Sequence, residues 1–352
     1  MKNRGQKTGD RGQIVVCRCA AHSGEMCGKA ATKPQPSVLS PLSSEYGFSM
    51  IEMMISITIG LMILAALTGV LASNSRSAKT NDRTSELQSN GRYALDHLKR
   101  ELRHAGYRGY TWAEPNTPTT AIAVSNECLN GAAADTFVQN IRQGIWGAND
   151  SNPYSGVGDC LETGYLRGDV LVIRRVASAP TTTLVANTMY LRSTYAVGEV
   201  FQGTAAPTIT GTPIADFALQ EYVYYIGSDD NNAAVPALRR VSLQANAMVD
   251  EMVVSGIEHM QVQYGSATTD LNTQYYNAGD APDLTGSSTV ATQNGWDNVN
   301  SVRVWLLARN SKPETGYTDP NSYTMGDITY TPSAADSGFR RQLFATVVQL
   351  RN

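Results

Sequence analysis

Between Phe48 and Ala72 the chain runs through 25 residues with a single charge, Glu52. As a helix this run is about 37 Å long at 1.5 Å per residue, against about 30 Å for the hydrocarbon core of a bilayer. No other stretch constrains the fold as strongly. A secretory signal is removed after its apolar core, at a small-x-small site. Here the cut is expected before the core, and the apolar segment is expected to stay in the mature chain.

Gly47-Phe48-Ser49-Met50-Ile51-Glu52 opens that run. It resembles the type III signal of type IV prepilins and type II secretion pseudopilins. The resemblance implies that a prepilin peptidase cuts after Gly47 and that the new terminus, Phe48, is N-methylated. It also implies a role for Glu52, whose carboxylate would pair with the terminal amine of a neighbouring subunit and set axial register during assembly. A carboxylate near the middle of a membrane helix costs about 2.5–3.5 kcal/mol on insertion scales and is normally paired or functional.

Charge divides at the same place. Residues 1–47 carry seven basic and three acidic residues, so the net of −3 for the whole chain becomes −7 without them. A basic leader beside a span keeps the N-terminus cytoplasmic and sends the rest across. The leader is rich in Gly, Pro and Ser, has no apolar period and is read as unstructured. A start at Met26 would shorten it and keep Lys29 and Lys33. Cys17, Cys19 and Cys27 fall within it and are given no structural role. Cys128 and Cys160 remain in the mature chain, and an oxidising compartment lets them pair as a structural staple.

Beyond Ala72 an amphipathic stripe of Leu87, Gly91, Leu95, Leu98, Leu102 and Ala105 extends the helix, with Gly106 and Gly109 as stop signals. The expected helix is 48–106, about 88 Å long. Its 48–72 part is for membrane or filament core and its 73–106 part for packing on a head. Ser89-Asn90-Gly91-Arg92-Tyr93-Ala94-Leu95-Asp96, then Arg103-His104-Ala105-Gly106-Tyr107-Arg108-Gly109, resemble the PilW-type minor pilins. So does the ending Leu350-Arg351-Asn352. In that family a cysteine often follows the second segment, where this chain has Tyr110.

Residues 107–352 read as a β-rich head. Val170–Val176, Thr182–Leu191, Glu221–Ile226, Ile257–Tyr264, Val302–Leu307 and Leu343–Leu350 are strand-like. Residues 110–165 are read as loop, and Ile257–Tyr264 as an alternating strand. No ten-residue helical pattern separates the strands, so a mainly antiparallel sheet is expected. The fold class is α+β, type IV pilin-like, with the long N-terminal helix packed on this head.

Residues 73–109 carry a net charge of +4 and residues 110–352 a net of −10. The acidic head argues against nucleic-acid binding, which needs a basic footprint. No HExxH, GxSxG, P-loop or GxGxxG appears, and His97 and His104 read as helix surface. Asp229–Asn232 and Asp270-x-Asn272-x-Gln274 offer oxygens to calcium but are read as turns. No catalytic residue, metal or cofactor is expected. The resemblance implies a minor pilin, no enzyme, at or near the filament tip, priming assembly. The alternatives are a type II secretion pseudopilin and an adhesive tip module. Its partners would be other minor pilins, the major pilin, the prepilin peptidase, the inner-membrane assembly platform and, before assembly, the lipid bilayer. It would sit in the inner membrane with a periplasmic head, then in the surface filament.

Overall fold

The computed structural model describes residues 47–116, 118–129, 136–156, 159–161, 164–267, 273–280, 284 and 295–351. Two units divide between Ala65 and Ala66. Helix α1 (Met50–Leu102) contains the boundary. It begins two residues later than expected. The Ser49 carbonyl accepts the first helical bond, from Met53 N at 3.1 Å, which makes Ser49 the N-cap. Ser49-x-x-Glu52 then has the spacing of a capping box, with Glu52 in the first turn.

In the second unit α1 buries Leu87, Gly91, Ala94, Leu98, Glu101 and Leu102. The predicted stripe is present with two changes: Ala94 replaces Leu95 at its centre, and Glu101 joins it. Glu101 is tolerated because Arg175 reaches its Oε2 at 2.7 Å. The α-helix ends at Leu102 rather than 106. Gly106, at φ 78°, turns its N–H to the Arg174 carbonyl 2.9 Å away. A left-handed glycine with its amide committed to a strand cannot continue the helix.

The head is antiparallel throughout its named strands, as expected. The larger sheet comprises β1 (Ile145–Ala148), β2 (Arg167–Val176), β3 (Met189–Ser193), β4 (Gly198–Gln202), β5 (Ala215–Ser228), β6 (Pro236–Gln244) and β7 (Ala247–Ser255). β5 is its spine. Its first residues pair with β3 at Tyr190↔Ala218, its later ones with β2 at Val172↔Val223, and β6 runs along it from Tyr222 to Ser228. The smaller sheet has the order β13 (Arg341–Gln349), β10 (Val299–Arg309), β8 (Ile257–Ala267), β9 (Thr273–Tyr276). A hairpin, β11 (Tyr323–Met325) and β12 (Ile328–Tyr330), stands apart.

Three expectations are corrected. Residues 182–188 are not strand, because Thr181 Oγ1 accepts Thr183 N and donates to the Thr183 carbonyl, closing a local turn. Residues 110–165 are not all loop; they contain α2 (Thr136–Gln139) and β1. β8 does not alternate between core and solvent. Ile257 to Val262 are all buried, because β8 lies inside its sheet with both faces covered.

Register places Met260, Leu306 and Phe344 in one row across β8, β10 and β13. Gly91 of α1 meets this row so closely that a Cβ there would overlap the Phe344 ring. The two sheets touch at Gly168, whose φ is 78° and whose missing Cβ makes room for the Met260 backbone. Asp169 fastens the junction. Its Oδ2 accepts Val262 N at 2.7 Å and its Oδ1 accepts Asp150 N at 3.0 Å.

Cys128 and Cys160 are joined by a disulfide, with Cα atoms 4.7 Å apart and a sequence separation of 32. Both are buried. Closing such a loop stabilises by about 3–4 kcal/mol on the chain-entropy scale. Replacing both by Ser is expected to lower the unfolding free energy of the full chain in detergent by about that amount. A urea midpoint unchanged from wild type would refute it.

Candidate functional site

In the first unit the sequence signal is presented without cover. Residues 47–49 are non-helical, a Cβ built on Gly47 meets no atom within 4 Å, and Phe48 is 81% exposed. The Gly47–Phe48 bond therefore lies in an exposed, non-helical segment just ahead of α1. Four residues on, Glu52 points from the first helical turn, where a carboxylate is favoured by the positive end of the helix dipole. Its carbonyl accepts Ser56 Oγ at 2.7 Å, and Ile55 accepts Thr58 Oγ1 at 2.8 Å. These hydroxyls are satisfied within their own helix, so apolar atoms dominate its surface.

Every residue from 47 to 72 is exposed. The helix that carries them is long and apolar enough to cross a membrane, and its most apolar window is wholly unburied. An apolar helix bare on all sides is unstable in water, so it needs either lipid or other helices around it.

In the second unit the PilW-like segments line the seam between α1 and the head. Asn90 Nδ2 donates to the Ser255 carbonyl at 3.2 Å. Gly91 lies on Phe344, and Ala94 is completely buried. His97 Nε2 and the Tyr224 hydroxyl are hydrogen-bonded at 3.0 Å, and Tyr93 stacks on the imidazole at 6.1 Å between ring centroids. Burial, aided by Arg240, holds the His97 pKa below its ordinary value. His104 is turned elsewhere, to the Arg100 carbonyl at 2.9 Å. The two histidines therefore form no shared site. The Ala105–Gly109 segment hands the chain from α1 to β2, with the Tyr107 carbonyl accepting Val176 N at 2.8 Å.

Residues 223–352 match the family model of type IV pilus-assembly protein W, PilW. Residues 42–68 match the prokaryotic N-terminal methylation motif. The chain thus carries a PilW domain behind a methylation motif, in line with its resemblance to PilW-type minor pilins. The PilW match contains Tyr224, Ser255 and Phe344, the partners of the Asn90-Gly91 and His97 turns of α1. The PilW-like helix segment and the PilW domain are thus the two sides of one seam. No curated protein matches the chain. Among solved structures, a type IV-like pilin from Thermus thermophilus is 15% identical, with 77% of this chain and 96% of that one covered and a TM-score of 0.30.

The other candidates fall as follows. Asp229 Oδ1 accepts Asn231 N at 2.7 Å and Asn232 N at 3.2 Å, an Asx turn. Asp270 and Asn272 lie outside the described residues, as do Cys17, Cys19 and Cys27. Among the described residues, no three His, Cys, Asp or Glu side chains are grouped to hold a metal ion.

Two features had no sequence signal. An open cleft of about 660 Å³ is lined by residues 105–114, Arg142, Trp296, Asp297 and Arg351. At its rim Trp112 is 83% exposed, and Arg142 bridges Glu114 and Asp297. The second is His259, buried with its ring tilted against Tyr330 at 4.7 Å between centroids and with neither ring nitrogen hydrogen-bonded. Burial, reinforced by Arg167 and opposed by Glu258, pushes its pKa down to about 4 from 6.5. Between these values the unfolded chain binds the proton and the folded one does not. Stability is therefore full above about pH 6.5 and falls as pH drops toward 4, by about 3 kcal/mol. His259→Leu should flatten that slope. Urea unfolding of wild type and variant at pH 7 and 4.5 checks it, and equal slopes would refute the assignment.

Proposed function

We propose that this PilW-type chain is made as a precursor, cut between Gly47 and Phe48, methylated at Phe48 and held in the inner membrane by 48–72. It then passes into the type IV pilus at or near the tip and helps prime assembly with other minor pilins. The observation that carries this is the uncovered apolar helix headed by Gly47-Phe48 and Glu52, within the match to the methylation motif. Lipid covers the helix first, and the helices of neighbouring subunits replace it in the filament. The head stays outside, its fold locked to α1 through the seam.

In this reading the partners are the prepilin peptidase, the assembly platform and the other pilins. The type II secretion alternative gains nothing from a PilW match. The adhesive alternative has one observation in its favour, the cleft beside exposed Trp112. Trp112→Ala that leaves piliation normal but abolishes surface attachment would establish it.

The deciding experiment is intact mass and N-terminal sequencing of the chain from membranes of cells with and without the prepilin peptidase. The expected mature chain begins at methylated Phe48 only when the peptidase is present. A chain that keeps residues before Phe48 in both strains would reduce 48–72 to an ordinary anchor.

A further inference from the structure

Just past the apolar run, one face of α1 carries three cations. Arg76, Lys79 and Arg83 follow at spacings of three and four residues, so their side chains are neighbours. Arg76 and Lys79 are exposed and Arg83 is half-buried. Among the described residues none of the three forms an ion pair with an acid, although Asp82 and Glu86 lie on the same helix. With Thr80, Pro313, Glu314 and Thr315 they line an open cleft of about 420 Å³. The acid in that cleft, Glu314, is already held by Arg340 at 2.8 Å.

Position decides what such a face meets. The apolar run ends at Ala72, so the three backbones lie about 6, 10 and 16 Å further along the helix. The polar headgroup layer is about 5–8 Å thick on each side of a bilayer. Helical Cα–Cβ bonds tilt toward the N-terminus, so the side chains of Lys79 and Arg83 lean back over the preceding turn, toward the apolar run. Both are long enough to place their charge one turn nearer the lipid.

We propose that Arg76, Lys79 and Arg83 form a binding face for the phosphates of anionic phospholipid headgroups. It is used while 48–72 stands in the bilayer and released when the chain leaves for the filament. This rests on the anchoring described under the proposed function. Lipid phosphate is favoured over an acidic protein neighbour because the face begins within headgroup depth of the apolar end.

Native mass spectrometry of the full mature chain, in micelles holding equal phosphatidylglycerol and phosphatidylcholine, tests it. Each cation near an anionic surface is worth about fivefold, so the expected preference for phosphatidylglycerol is about a hundredfold. The triple variant Arg76→Gln, Lys79→Gln, Arg83→Gln should bring the two lipids within about twofold. Arg92→Gln with Arg100→Gln, further along the helix, should leave the preference intact. Gln keeps helix propensity, and an unchanged circular dichroism spectrum would show that the fold survives. Equal binding by wild type, a preference that survives the triple change, or its removal by millimolar inorganic phosphate would each overturn the headgroup assignment. Flotation with neutral phosphatidylcholine vesicles separates the two readings. A chain that floats without preferring phosphatidylglycerol loses only the headgroup face, whereas one that does not float loses the anchoring itself.

Discussion

Glu258→Ala is expected to cost the head about 3–5 kcal/mol, a large share of the roughly 5–15 kcal/mol by which folded domains are typically stable. Glu258 is on β8, and its side chain is 1% exposed. Oε2 accepts Arg341 Nε of β13 at 2.6 Å, and Oε1 accepts Arg309 Nη1 of β10 at 3.3 Å and the Tyr330 hydroxyl at 3.2 Å. One carboxylate thus ties three neighbouring strands and the hairpin. The Arg341 side chain is fully buried. Burial works against its charge, and the bond to Glu258 overrides this, so its pKa is raised. Among the described residues, truncation would leave that guanidinium inside the protein with Asp319, 3.4 Å away, as its remaining counter-charge. Gln at 258 keeps two acceptor contacts and should lose about half as much. Urea unfolding of the full chain in detergent, followed by circular dichroism, measures both. A loss below about 1 kcal/mol for the alanine variant would show that the arginines find water or other partners.

Glu52→Ala is expected to abolish incorporation into filaments while leaving cleavage at Gly47 intact. The carboxylate lies within the first turn, and the proposed cleavage would create a free amine at Phe48, four residues away. In a filament core of low dielectric, an unpaired ammonium or carboxylate costs several kcal/mol, and pairing between subunits removes both costs at one axial register. Alanine removes only the carboxylate and leaves the amine unpaired at every register. Immunoblots of sheared pili against membrane fractions provide the measurement. Normal levels in the pilus fraction would sink the pairing idea, and loss of cleavage would show that Glu52 serves the peptidase instead.

What the sequence determined by itself is the N-terminal part. A methylation motif is read as linear chain, and 25 nearly uncharged residues need no tertiary partner to specify a membrane-length helix. The period of Leu87, Leu98 and Leu102 likewise announced the buried stripe, because helical spacing is a local property. The cysteine pair was legible because only two cysteines lie beyond the motif. The tertiary structure alone decided the rest. No local pattern marks Glu101, Glu221, Glu258, Arg174 and Arg341 as buried, yet each is buried beside a partner supplied by a distant strand or helix. β8 lost its alternation because covering both faces removes the solvent side that alternation reports. β5 pairs with three different strands, and no pattern within its own 14 residues encodes which ones. The seam of Gly91 with Phe344 and His97 with Tyr224 joins residues more than a hundred positions apart. Contacts at that separation are chosen by packing and register, which exist only once the sheets have formed.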